Sequence, residues 1–127
     1  MTFALGPRSL ARLEGVHPDL VRVVKAAILT CPVDFTVLQG VRTLEEQKAF
    51  VAAGKSQTLN SRHLTGHAVD LGAWVNDTIS WDAHLYPLMA TSVVGTGQRL
   101  GVPIIWGGTW RTIKDLDHFE LSRETYP

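Results

Sequence analysis

Two clusters in this chain have the residue types and spacing that metal-assisted hydrolysis needs. The stretch Ser61-Arg62-His63-Leu64-Thr65-Gly66-His67-Ala68-Val69-Asp70-Leu71 sets a histidine and an aspartate on either side of a glycine turn that runs into an apolar, strand-like segment. Further along, Asp115-Leu116-Asp117-His118-Phe119-Glu120 adds a second histidine and spare carboxylates. Catalytic zinc takes three protein ligands and keeps a fourth position for water. It lowers the pKa of that water toward ~7 and polarises a substrate carbonyl. His63, Asp70 and His118 would make such a ligand set, so one zinc ion per chain is the expected cofactor. Other divalent metals would also bind two imidazoles and a carboxylate in vitro.

The chemistry also needs a group that takes a proton from the water and returns it to the leaving amine. Asp115 is the candidate, ahead of Asp117. Glu120 shares a strand face with His118 and is placed to orient its imidazole. His67 lies four residues beyond His63 and is read as a flanking group beside the ligands. Arg42 is the best lone cation for stabilising an oxyanion or clamping a substrate carboxylate. Trp106 and Trp110, around Gly107-Gly108, would wall a groove for an extended substrate, or equally serve as core. His17, before Pro18, reads as a residue at a helix start, and His84 as a helix-surface residue. Cys31, the lone cysteine, excludes an internal disulfide and reads as a small core residue.

These residues need elements to hold them. Pro18 to Thr30 is expected to be a helix, with Val16, Leu20, Val23, Val24 and Ala27 on one face and Asp19 in its first turn. Asp34 to Gly40 reads as a strand. Thr43 to Ala53 reads as a helix capped by a Thr43/Glu46 box and stopped at Gly54. Ala68 to Val75 is expected to be a strand in which Val69 and Leu71 face the core while Asp70 shares the other face with Ala68. Asn76-Asp77 is a turn, and a helix is expected over Trp81 to Leu100, weakened near Gly95 and Gly97. Val102 to Trp106 and His118 to Leu121 read as short strands. Asp115 and His118 have opposite strand parity, so Asp115 is expected on a loop and His118 on the strand. The pattern is that of an α+β fold.

The chain has 127 residues, the size of one ordinary domain, and 1–127 is expected to be one. An apolar share of 45% with 19% charged residues suits a globular chain and excludes a disordered one. With 12 basic and 12 acidic residues and no basic run, nothing points to nucleic acid or to stable membrane association. Met1 to Arg8 lacks a basic start followed by an apolar core, so no signal peptide is expected and the chain should first reside in a cytoplasm.

The motif Ser-x-His-x-x-Gly-x-Ala-x-Asp at Ser61 to Asp70, paired with Asp-x-x-His at Asp115 to His118, resembles the D-Ala-D-Ala carboxypeptidase-like zinc peptidases. It is most similar among them to the L-alanyl-D-glutamate endopeptidases of phage endolysins. Val16-His17-Pro18-Asp19-Leu20, Gln39-Gly40-Val41-Arg42-Thr43 with Glu46-Gln47, and Trp106-Gly107-Gly108 extend the resemblance over nearly the whole chain. It implies a small α+β domain with an antiparallel sheet carrying the metal. His63, Asp70 and His118 would be the zinc ligands, Asp115 the catalytic carboxylate, Arg42 the transition-state or substrate arginine, and Ser61 a pocket residue. The implied substrate is the stem peptide of peptidoglycan. The implied setting is a monomer that waits in the host cytoplasm for a holin and then reaches the periplasm and wall. Hydrolysis of D-Ala-D-Ala, or silent binding of wall peptides, are the alternatives. The chain departs from the family at Thr109, where an acid is common, and at Asp117, where a proline often precedes the histidine.

Overall fold

The computed structural model describes residues 2–56, 58–111 and 114–127. Helix α1 (Pro7–Arg12) and helix α2 (Pro18–Thr30) lead into strand β1 (Phe35–Gln39) and helix α3 (Leu44–Ala52). A 3-10 turn at Arg62–Thr65 enters strand β2 (Ala68–Val75), followed by β3 (Thr78–Ser80), helix α4 (Leu85–Leu100), β4 (Ile104–Trp106) and β5 (His118–Leu121). The strands form one antiparallel sheet in the order β1-β2-β5-β4, with β3 paired to the end of β2.

Alternation along β2 splits the sheet into two faces. Val69, Leu71 and Ala73 join Phe35, Val37, Phe119 and Leu121 in an apolar core. The α2 residues Leu20, Val23, Val24 and Ala27 and the α4 residues Met89, Ala90 and Val93 complete it. The stripe expected on α2 is therefore the buried one, and Cys31 is buried beside it. The other face carries Asp70, and the register is what builds the site. Asp70 stands opposite His118 on β5 and opposite Gln39 on β1, while Glu120 stands opposite Ala68. Directly paired residues on one face have Cβ atoms roughly 4.5–5.5 Å apart, so three strands deliver their side chains to one spot.

The capping box at Thr43 forms as expected, with Thr43 Oγ1 accepting from Glu46 N and Glu46 Oε1 from Thr43 N. Two elements were not expected. Helix α1 packs on β1 through Ser9, whose hydroxyl meets Thr36 Oγ1 at 2.8 Å and accepts from Val37 N at 3.0 Å. Strand β3 closes a hairpin with β2, because Asn76 and Asp77 both adopt left-handed backbone (φ 52° and 63°), the twist a tight hairpin prefers. Helix α4 starts at Leu85, not Trp81. Asp82 takes the backbone N–H of His84 on its side chain and that of Leu85 on its carbonyl, forming a turn that precedes the helix. Gly95 and Gly97 lie inside α4, which runs on to Leu100. Of these two, Gly97 is the one the chain approaches closely, since a Cβ there would sit 2.4 Å from Val102 O.

Candidate active site

A cavity of about 620 Å³ opens on the polar face of the sheet. Its floor is Asp70, flanked by His63 and His118. His63 arrives on the 3-10 turn, which begins at Ser61, whose Oγ accepts from His63 N. The turn ends at Gly66 in left-handed backbone (φ 74°), where a Cβ would meet Gly15 O at 2.5 Å. This reversal swings His63 back over Asp70, and only glycine fits it.

His63 Nε2 lies 3.2 Å and His118 Nδ1 3.4 Å from Asp70 Oδ1. The outward ring nitrogens are both engaged: His63 Nδ1 donates to Gly40 O at 2.8 Å and His118 Nε2 to Glu120 Oε1 at 2.8 Å. A carbonyl and a carboxylate can only accept, so each outward nitrogen carries a proton, and a neutral ring turns a lone pair inward. Two imidazole lone pairs and a carboxylate oxygen then converge within 4.8 Å of one another. Protonated, the inward nitrogens donate to Asp70; with both rings neutral, the two lone pairs and the carboxylate suit a metal ion.

The electrostatics agree. Burial alone would depress His118, but hydrogen bonds to Asp70 and Glu120, and their charges, raise it to about 9. Burial alone would raise Asp70, yet hydrogen bonds from His118 and His63, with their charges, hold it well below the usual carboxylate range. The cluster captures positive charge in whatever form is offered.

Arg42 follows β1 and is buried at the edge of the cavity. Its Nη2 approaches Asp70 Oδ2 at 3.4 Å, and its guanidinium lies 4.3 Å above the Phe50 ring centre. Burial lowers its pKa, against the pull of Asp70, Glu46, Asp115 and Asp117. Asp115 sits on the loop before β5 and faces the same cavity. Its N–H donates to Gly107 O and its carbonyl accepts from His118 N, so a turn separates Asp115 from the strand. Gly107 permits this, because a Cβ there would sit 2.3 Å from Asp115 O. Asp117 also lines the cavity, and burial, a hydrogen bond with Asp115 and the charges of Asp70 and Asp115 push it up to about 8.

Two expected site residues lie elsewhere. Trp106 does not line this cavity: its indole N–H donates to Leu116 O at 2.7 Å, and its ring faces a shallow groove beside Ala90 and Val94 of α4. Trp110 lines the cavity instead, its ring centre 4.9 Å from that of His118. His67 points away from the cavity to the far side of the 3-10 turn, bonding Thr65 Oγ1 at 2.7 Å and facing the His17 ring. His17 caps α2, accepting from Asp19 N, and His84 is exposed just before α4. Arg62, Gln39 and Gln47 were not singled out from the sequence. Arg62 is buried behind Glu120 and donates to Leu121 O and Tyr126 O. The glutamines hold Arg42, and their only sequence signal is their place around it in Gln39 to Gln47.

The sequence model described as phage L-alanyl-D-glutamate peptidase matches residues 1–126. The chain belongs to that family. It is 32% identical to the L-alanyl-D-glutamate peptidase of Escherichia phage T5, over 99% of this chain and 94% of that protein. The L-alanyl-D-glutamate peptidase of Listeria phage A118 is 31% identical over 74% of this chain, which matches 32% of that longer protein. Among solved structures, the Serratia marcescens L-Ala D-Glu endopeptidase ChiX superposes with a TM-score of 0.92 at 44% identity, covering 100% of this chain and 94% of that one. The vancomycin-resistance D,D-dipeptidase VanXYg shares the fold at a TM-score of 0.54 and 18% identity, over 84% of this chain and 50% of that chain. Family membership thus spans every element that builds the cavity.

Proposed function

We propose that the chain is a peptidoglycan endopeptidase that hydrolyses the L-alanyl-D-glutamate bond of wall stem peptides, using one zinc ion held by His63, Asp70 and His118. The observation that carries this is the convergence of two inward imidazole lone pairs and the Asp70 carboxylate, in a cavity that also holds Arg42 and Asp115. A bound zinc ion would acidify a water toward ~7 and polarise the scissile carbonyl.

The chain's own groups supply the rest. Arg42 presents a fixed positive charge to the oxygen that becomes negative as the carbonyl is attacked. Asp115 accepts the proton of the attacking water and passes it to the departing amine of D-glutamate. Glu120 and Gly40 O hold the two rings in the tautomers that face inward. Ser61 lines the cavity and caps the turn that carries His63. Trp110, not Trp106, supplies the aromatic wall. Hydrolysis leaves a carboxylate on L-alanine and a free amine on D-glutamate.

Residues 1–127 act as one domain in this reading, since one core cluster draws on α2, α4 and every strand but β3. The phage origin of the relatives supports an enzyme that is held in the host cytoplasm and depends on a holin to reach the wall, and the same reading takes it as a monomer. Among the described residues, no helix is long and apolar enough to cross a membrane. The test is a digest of purified sacculi before chelation, after it, and after zinc is restored. Expected is a D-glutamate amine terminus that disappears with chelation and returns with zinc. Release of single terminal D-alanine residues would replace this reading with a carboxypeptidase.

A further inference from the structure

We propose that Gln47 is a positioning residue that holds Arg42 at the catalytic cavity and ties the polar wall formed by Ser56 and Thr58 to the same guanidinium. Gln47 is the one residue of α3 that is fully buried, at 0% exposure. A buried primary amide is retained only where its partners use it. Here every polar atom has one: Gln47 Oε1 accepts from Arg42 Nη1 at 2.6 Å, and Nε2 donates to Ser56 Oγ at 2.9 Å and to Thr58 O at 2.6 Å.

The partners also fix which way the amide points. A guanidinium can only donate and a backbone carbonyl can only accept. The oxygen must therefore face Arg42 and the nitrogen must face Thr58, so no other amide orientation satisfies both. Gln39 holds the rest of the cation, its Oε1 accepting from Arg42 Nε at 3.0 Å and Nη2 at 2.7 Å. With Phe50 beneath the plane, the guanidinium is left one direction to act, toward Asp70 and the open cavity. Lys55, Ser56, Thr58 and Asn60 line the same cavity as the proposed metal ligands. Gln47 thus joins the cation to this wall through its side-chain hydrogen bonds, beside Phe50, whose ring lies under Arg42 and whose carbonyl accepts from Lys55 N and Ser56 N.

The kinetic test rests on the peptidase reading, and two substitutions separate the two links. Gln47→Glu keeps an acceptor for Arg42 but sets an oxygen against Thr58 O. The expected result is a KM raised about tenfold as the wall loosens, with kcat falling less than in Gln47→Met, because the cation stays in place although the new carboxylate offsets part of its charge. Gln47→Met removes both links, and kcat should fall about 10- to 100-fold, the scale of a misplaced catalytic group. Both variants should keep the metal content of wild type. A folded Gln47→Met enzyme with kcat within about twofold of wild type overturns the proposal. A readout independent of hydrolysis is NMR of the wild-type protein. Slowly exchanging Gln47 side-chain amide protons and separated Arg42 Nη signals are expected, and fast exchange at both overturns the proposal even if Gln47→Met does not fold. Wild type that cuts no stem peptide but shows the protected signals would sink the peptidase reading and leave the positioning role supported.

Discussion

The chain holds two pairs of histidines on opposite sides of one glycine turn, and their environments are opposite. His63 and His118 have ring centres 5.1 Å apart, and His17 and His67 have theirs 5.6 Å apart. In the first pair Asp70 lies within 3.4 Å of both rings and Glu120 backs one of them, so His118 is raised to about 9. In the second pair, burial, the Arg62 charge and His17 itself lower His67. Two nearby imidazoles therefore do not by themselves match the proposed metal site. What separates the pairs is a carboxylate between the rings and an acceptor behind each, which fixes the lone pairs inward.

Removing that carboxylate should erase the distinction, and this is the largest effect expected. Asp70→Ala leaves two imidazoles and Arg42 around an empty place, so bound metal should be lost and hydrolysis with it, by more than about 10³-fold. Metal analysis beside a sacculus-clearing assay checks this, and a full metal complement in Asp70→Ala would rule out the ligand set. Asp115→Ala should differ in kind. Metal content should stay at the wild-type level while the turnover number falls about 10²- to 10⁴-fold, the range for a lost proton-transfer group. If turnover survives, the proton carrier is Asp117, which faces the same cavity.

How far the sequence foretells this contrast depends on the residue. Asp70, His118 and Glu120 follow from strand alternation, because period-two patterning in Ala68–Val75 and His118–Leu121 sets their faces once the core residues are known. The choice between His63 and His67 rests on Gly66, since the left-handed residue decides which histidine swings back over the strand. Pattern alone does not place Trp106. An indole is as suited to a wall as to a core, and Leu116 O, which takes its N–H, comes from ten residues away in sequence. Gln47 is marked only by its place in the segment around Arg42, because helix periodicity shows where an inward position falls but not that a cation waits there. Helix α1 and strand β3 are short, with most of their support from tertiary contacts such as Ser9 with Thr36 and Val37.

Glu120→Gln tests the acceptor behind His118 without touching the proposed ligands. Gln can still accept, but it removes the charge that fixes the ring tautomer and that faces Arg62. Metal affinity should fall about 10- to 100-fold, read by competition with a chromogenic chelator. Unchanged affinity would show that Asp70 alone sets the contrast. Gly66→Ala acts on the turn shared by both pairs. Its left-handed backbone and the 2.5 Å approach to Gly15 O predict a loss of at least about 2 kcal/mol in stability. Thermal unfolding measures this, and a Tm within a degree or so of wild type would mean that the turn tolerates a side chain.

The smallest effect belongs to the second pair. His67 is lowered from 6.5 by burial first, then by Arg62 and His17, so the fold favours its neutral form. Above that pH neither the folded nor the unfolded chain protonates His67, and the group contributes nothing to pH dependence. As pH falls through the unfolded value toward the lower folded one, the unfolded chain takes up the proton first and the folded state loses stability. His67→Gln removes this pH dependence while keeping a partner for Thr65 Oγ1. Its Tm should therefore fall less than that of wild type between about pH 7.5 and about pH 5, with the curves converging above the ordinary histidine value. The first pair should show the reverse sense if stripped of metal, since His118, held up by Asp70 and Glu120, favours its charged form. Parallel Tm curves for wild type and His67→Gln would mean that the turn does not separate the two electrostatic environments.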